Sequence, residues 1–361
     1  MKYLRPYKLF EAFGVAEATL AYNDFIVNDF KSCLESFMSQ DEGKDDTKIR
    51  TYKEQKTYTQ KDLSEFIKRV DWPKFPISGI KVEYSLEIVP DEIFKKKYPT
   101  TSLTKNYVGT GGYYSIGEED GSTVQPAIDD RTEFTININI EVGATVTNSF
   151  TDIKALLVEV ESAVTHELNH AYESINRWKS GKASFSTDVT WALEANRAKV
   201  RKDIFKMWAD DIGFYLYWSE LHELNAMIQD AWPYVKRFEL QEMKQKTPTW
   251  RFAQRMIDFS ANQFKQKMID KIRSVYPDTD VEMVLKRIKN GFANELIKMS
   301  EKPKKAAEDK PSISGEMVRK MSVDQFLKFV EDRCGRAGKK LQSKVLNLYS
   351  LKLKYKQDEK N

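Results

Sequence analysis

Cysteine and histidine are the scarce residues of this 361-residue chain: it holds 2 Cys and 3 His. Cys33 and Cys334 lie near opposite ends, which excludes a disulfide framework and a cysteine-based zinc cluster. Long apolar runs are missing too. No stretch reaches the ~18 residues of a membrane-crossing helix, and the start of the chain lacks the apolar core of an export signal. A soluble product of a reducing cytoplasm is expected. Lys and Arg number 58 against 54 Asp and Glu, a net charge of +4, too small an excess to argue for nucleic acid. Hydrophobic residues at 41% and aromatics at 12% exclude wholesale disorder, and the length supplies enough core to fold without staples.

The first half mixes helix and strand. Residues 24–38 space Phe25, Ile26, Phe30, Cys33, Leu34, Phe37 and Met38 as one helical face. The polar stretch 40–58 reads as loop, and Thr59 as the N-cap of a short helix with Asp62 in its first turn. Ile80, Val82, Tyr84, Leu86 and Ile88 alternate with polar residues, as do Phe134, Ile136, Ile138, Ile140 and Val142. Such alternation predicts half-buried strands, here expected to be antiparallel. Gly109-Thr110-Gly111-Gly112 and the stretch 118–121 are expected as turns around a short strand at 113–116.

From about residue 150 the pattern is helical. One helix follows Ser149 and Asp152 and buries Leu156, Val160, Val164 and Leu168. Further helices are expected near 188–209, 212–231, 247–273, 279–299 and 322–348. The division expected is 1–145 with the sheet, a helical part 146–300, a linker 301–316 and a basic helical extension 317–361. The fold class is α+β, with a small, mostly antiparallel sheet. The end of the chain is basic: residues 320–361 carry +6, on an apolar stripe that breaks near Gly335 and Gly338. It is read as a solvated helix with a frayed tail. An acidic partner or a membrane surface would suit its charge, but it lacks the interleaved aromatics of a nucleic-acid interface.

All three histidines fall within a 57-residue window, and two of them form His166-Glu167-Leu168-Asn169-His170. In a helix, positions i and i+4 are about 40° apart, so both imidazoles leave one face towards one ion. Two neutral nitrogens suit zinc. Glu167 projects beside the metal, where it can take a proton from water and pass it to a leaving amine. At this composition chance supplies on the order of 0.002 such motifs per chain.

The motif, its uncharged flanks (Ala163, Val164, Thr165, Ala171 and Tyr172) and the strand before it resemble the zincin metallopeptidases. The resemblance covers roughly residues 130–230. It implies a zincin-like fold around the motif helix, a Zn2+ cofactor, a peptide or protein substrate and Glu167 as general base. The extended metzincin pattern is not met, because Glu173 and Asn176 stand where that family has Gly and His. The gluzincin pattern, with a third ligand from a glutamate on a downstream helix, fits better. Glu223, in Glu-Leu-Asn-Ala, has 52 residues between it and His170; Glu194 competes with 23 residues between, and His222 and Glu220 remain open. His222 also reads as an oxyanion donor, an orienting group behind a ligand, or a partly exposed helical residue. Tyr215 and Tyr217 are further oxyanion candidates that read equally as core.

The Lys-, Asn- and Tyr-rich composition, with this motif and the downstream Glu-Leu-Asn-Ala, resembles proteins carried by tailed phages of gut Bacteroidetes. That resemblance implies a virion or phage tail component, with homo-oligomer or virion partners, on a zincin-like scaffold whose site is active or decayed.

Overall fold

The computed structural model describes residues 17–59, 61–62, 77–97, 107–116, 134–146, 153–179, 204, 207–301 and 313–358. It is α+β, and contacts divide it into two units. The first comprises 1–179, 232–237 and 351–361; the second comprises 180–231 and 238–350.

In the first unit, helix α1 (Glu17–Asp41) precedes strand β1 (Arg50–Thr59), strand β2 (Ile77–Val89), helix α2 (Asp91–Lys97), strand β3 (Tyr107–Ile116) and strand β4 (Phe134–Thr145). Helix α3 (Ile153–Lys179) carries the histidine motif, and α6 (Trp232–Arg237) returns to it later in the chain. The strands form one sheet in the order β1-β2-β4-β3.

Alternation along β2 and β4 places Val82, Tyr84, Leu86, Ile138, Ile140 and Val142 on one face. Tyr22, Ile26 and Phe30 of α1, together with Leu156, Val160, Val164 and Leu168 of α3, close over that face. A sheet covered on one side by two helices is the result.

Three sequence expectations change here. The two most regular strands, β2 and β4, pair in parallel, while β1–β2 and β3–β4 are antiparallel. Period-two alternation is common to both orientations, so the pattern does not distinguish them. Gly109, Gly111 and Gly112 lie within β3 rather than in a turn, and Gly111 pairs with Asn139 of β4. Backbone pairing along β4 overrides the weak strand preference of glycine.

The stretch 50–58, read as loop, is β1. Its inward positions are Arg50, Tyr52, Glu54, Lys56 and Tyr58, held by acids of α1 as well as by Phe37 and Phe25, on which the rings of Tyr52 and Tyr58 pack. Arg50 and Tyr52 donate to Asp41, and Lys56 and Tyr58 donate to Asp29. Asp29 and Asp41 lie twelve residues apart on α1, so the helix holds the strand at both ends. Thr59 ends β1, its Oγ1 accepting from Asp62 N while Asp62 Oδ2 accepts from Thr59 N at 2.8 Å; beyond 61–62 the short helix expected there lies outside the described residues.

The second unit is helical. It contains a π-helical turn (Ala209–Gly213), α4 (Phe214–Trp218), α5 (Leu221–Asp230), α7 (Leu240–Lys246), α8 (Pro248–Ile257), α9 (Ala261–Val275), α10 (Val281–Glu301) and α11 (Gly315–Lys320). Helix α12 (Val323–Asp358) follows, with its residues up to 350 in this unit. Trp208 is fully buried and stacks on Phe326 at 5.9 Å.

Helix α12 runs unbroken through Gly335 and Gly338, where the sequence suggested a break. A Cβ at Gly338 would meet the carbonyl oxygen of Ala253 at 2.6 Å, so this glycine lets α8 approach closely; a Cβ at Gly335 would meet nothing within 4 Å. The predicted helix 247–273 is two helices, with Ser260 capping α9 by accepting from Gln263 N. Ser149, Asp152, most of the predicted helix 188–209 and most of the predicted linker fall outside the described residues. No helix among the described residues is long and apolar enough to cross a membrane.

Candidate metal centre

Helix α3 presents its histidines because its opposite face is fixed. Leu156, Val160, Val164 and Leu168 recur every four residues and are buried in the core of the first unit. A polar contact holds the helix one residue before the motif. Asn23 Nδ2 of α1 donates to Thr165 Oγ1 at 2.6 Å, and that hydroxyl donates to the Glu161 carbonyl at 2.7 Å. His166, Glu167 and His170 then emerge on the remaining side, each half-buried.

The two imidazoles converge. Their Nε2 atoms are 3.0 Å apart, and the rings stand edge to face with centroids 4.6 Å apart and planes at 82°. Both rings therefore aim the same nitrogen at one point. In a tetrahedral site with bonds of 2.0–2.1 Å, two donors stand about 3.3 Å apart, close to the separation found here.

Helix α5 begins where Ser219 and Glu220 interrupt the chain. Glu220 leaves the helical region (ψ 145°), so α5 starts afresh at Leu221. The interruption is fastened from α12: Arg333 Nε donates to Ser219 Oγ at 2.6 Å and its Nη2 to Glu220 Oε1 at 2.9 Å. Ser219 Oγ in turn donates to the Leu216 carbonyl. Glu220, one of the open ligand candidates, is thus the ion-pair partner of Arg333. A residue of the basic C-terminal stretch here has a structural role rather than a solvated one.

Glu223 sits in the first turn of α5 and is 2% exposed. His222 is buried beside it, with Nε2 3.2 Å from Glu223 Oε1. With its proton on Nε2, His222 donates to that oxygen and fixes the carboxylate, the orienting role among those open to it. Helix α3 of the first unit thus offers two converging imidazole nitrogens, and α5 of the second offers one buried carboxylate. Two imidazoles and one carboxylate form the donor set of open, catalytic zinc sites, so these side chains fit the group that the sequence implies.

Glu194 lies outside the described residues. Tyr215 packs its ring on Phe259 at 4.5 Å, and burial raises its phenol above the ordinary value. Tyr217 packs on Trp218 at 5.1 Å. These contacts join both tyrosines to the aromatic packing of the second unit.

Asn23, Ser219 and Arg333, which brace the two helices, had no signal in the sequence, since each acts on a partner more than a hundred residues away. Comparison with models of known protein families, with curated proteins and with solved structures finds no match.

Proposed function

We propose that this chain is a zinc-dependent peptidase that hydrolyses peptide bonds, with His166, His170 and Glu223 as metal ligands and Glu167 as general base. The observation that carries this reading is the convergence of the His166 and His170 nitrogens at 3.0 Å on the helix that also presents Glu167. The burial of the Glu223 carboxylate, with His222 against one of its oxygens, supports the third assignment. Zinc in that position supplies Lewis-acid polarisation of the scissile carbonyl and acidifies a water.

The remaining roles belong to the side chains. Glu167 accepts the proton of the attacking water on its carboxylate and delivers it to the departing amide nitrogen. His222 holds Glu223 Oε1, leaving the carboxylate's other oxygen to the metal. The half-burial of the histidine face leaves it accessible to a substrate chain.

Elemental analysis and a mixed quenched-peptide substrate test the proposal together. Wild type is expected to hold one zinc per chain and cleave. Glu167→Gln keeps the metal and loses about 10²–10⁴-fold in rate, the usual worth of a positioned proton-transfer group. Full cleavage by Glu167→Gln overturns the mechanism. Zinc bound without cleavage by wild type overturns the peptidase and leaves a structural metal site.

A further inference from the structure

Strand β1 occupies one edge of the sheet, and among the described residues its ten-residue backbone pairs with β2 alone. The outer edge of such a strand is a template for another strand, and proteins blunt it with proline, a bulge, shortness or charged side chains. Of these β1 carries only the charges, and its Arg50 and Lys56 are drawn inward to Asp41 and Asp29 of α1. Arg50–Thr59 contains no proline, and its register with β2 runs without interruption. Lys53, the exposed cation that could guard the edge, has its Nζ 3.4 Å from Glu83 and so leans back over β2.

The side chains complement a copy of themselves. From 51 to 59 the strand reads Thr-Tyr-Lys-Glu-Gln-Lys-Thr-Tyr-Thr, nearly a palindrome about Gln55. An antiparallel pair with its two-fold axis at Gln55 places Glu54 opposite Lys56, Tyr52 opposite Tyr58, Thr51 opposite Thr59 and Lys53 opposite Thr57. Each pair joins positions of like parity, so the face that meets α1 in one copy continues as the same face in the other. Glu54 and Lys56 keep 39% and 27% of their side chains exposed, within reach of a neighbouring strand.

Competing registers are worse. A shift by one residue sets inward side chains against outward ones. A shift by two, in either direction, puts Glu54 against Glu54 or Lys56 against Lys56 on the axis, and like charges directly opposite repel.

We propose that β1 pairs antiparallel with β1 of a second copy of this chain, joining two four-stranded sheets into one through a symmetric dimer. Opposite charges meet twice in this register, and two tyrosine pairs flank them. The inference is independent of the metal centre.

The test uses the full chain carrying Gln55→Cys, a substitution on the exposed face of the strand at the proposed axis. The native Cys33 and Cys334 are buried and give no background. Mild copper-phenanthroline oxidation is expected to yield a species of twice the 42.0 kDa chain mass that reverts on reduction. Thr57→Cys faces Lys53 instead, and its own copy lies well beyond disulfide reach, so its cross-linking falls about tenfold or more below that of Gln55→Cys. Glu54→Lys replaces both attractive pairs by repulsive ones and is expected to weaken self-association of the uncross-linked protein about tenfold in sedimentation. Gln55→Cys remaining monomeric, equal cross-linking at 55 and 57, or wild-type association in Glu54→Lys would each overturn the pairing.

Discussion

Arg237 Nη2 stands 2.5 Å from Glu161 Oε2, and Lys236 donates to the other oxygen of the same carboxylate. Glu161 is 5% exposed and lies five residues before His166 on α3, whereas both cations sit on α6 with about a third of their side chains exposed. The clamp thus fastens α6 to the helix that presents the histidines. Removing the carboxylate leaves cations that can hydrate, so the loss falls below that of exposing a buried charge. Glu161→Ala is expected to lower stability by about 2 kcal/mol in urea denaturation, and Glu161→Gln by less, since the amide keeps one acceptor. A loss below ~0.5 kcal/mol would show that the pairs act as ordinary surface ion pairs.

What could be read in the sequence was what depends on near neighbours. His166, Glu167 and His170 sit within one helical turn, so their shared face follows from helix geometry alone. The strands β2 and β4 show themselves because large apolar residues mark every second position. Their parallel pairing does not, because alternation carries no direction. Strand β1 was hidden by its inward Arg50, Glu54 and Lys56, of which the two cations turn inward only because Asp41 and Asp29 of α1 receive them. Glu223 could be named only as one of several carboxylates; Arg333, 113 residues beyond Glu220, is what occupies a rival. Such pairings belong to tertiary structure and leave no periodicity in the chain.

The two glycines of α12 should respond in opposite directions to the same change. At Gly335 a methyl group meets nothing within 4 Å, so Gly335→Ala is expected to stabilise by about 1 kcal/mol through helix propensity. At Gly338 the added carbon would stand 2.6 Å from the Ala253 carbonyl and 2.9 Å from Ile257, so α8 must move away. There the overpacking cost of about 1–3 kcal/mol exceeds the propensity gain, and Gly338→Ala destabilises. Thermal melts of both variants decide the matter; a rise at 338 would mean that α8 yields without cost.

Lys289 gives stability a pH signature. It is 2% exposed on α10, and its Nζ donates to the carbonyls of Val318, Arg319 and Met321 at the end of α11. Burial, with Lys286 nearby, holds its ammonium pKa below the ordinary lysine value of 10.5. The unfolded chain therefore keeps its proton to higher pH than the native state does. Stability from this group then rises as pH climbs from the lowered native value towards 10.5, the reverse of a lysine paired with a carboxylate. Lys289→Met removes that slope. It also leaves helix-end carbonyls without their donor, at a cost of about 1–3 kcal/mol at neutral pH. Urea midpoints at pH 8 and pH 10 for both proteins should show the wild type gaining on alkalinisation relative to the variant; parallel changes would contradict the assignment.

The proposed metal ligands can be tested without any substrate. An ion that binds only the native state stabilises it by mass action, by about 2.7 kcal/mol when its free concentration is a hundred times the dissociation constant. Melting in added zinc should therefore exceed melting in chelator for wild type. His170→Ala removes one of the two convergent nitrogens and is expected to abolish the difference. Glu223→Gln keeps the shape of the side chain while removing its charge, and should shrink the difference markedly. His222→Ala leaves all three proposed ligands in place but frees Glu223 Oε1 from its 3.2 Å contact, so a smaller loss of about 10–100-fold in zinc affinity is expected. Glu220, held by Arg333, serves as the control: Glu220→Gln should change stability in zinc and in chelator alike, leaving the zinc-dependent shift intact. If Glu220→Gln erased the shift and Glu223→Gln did not, the third ligand would have to be reassigned to Glu220.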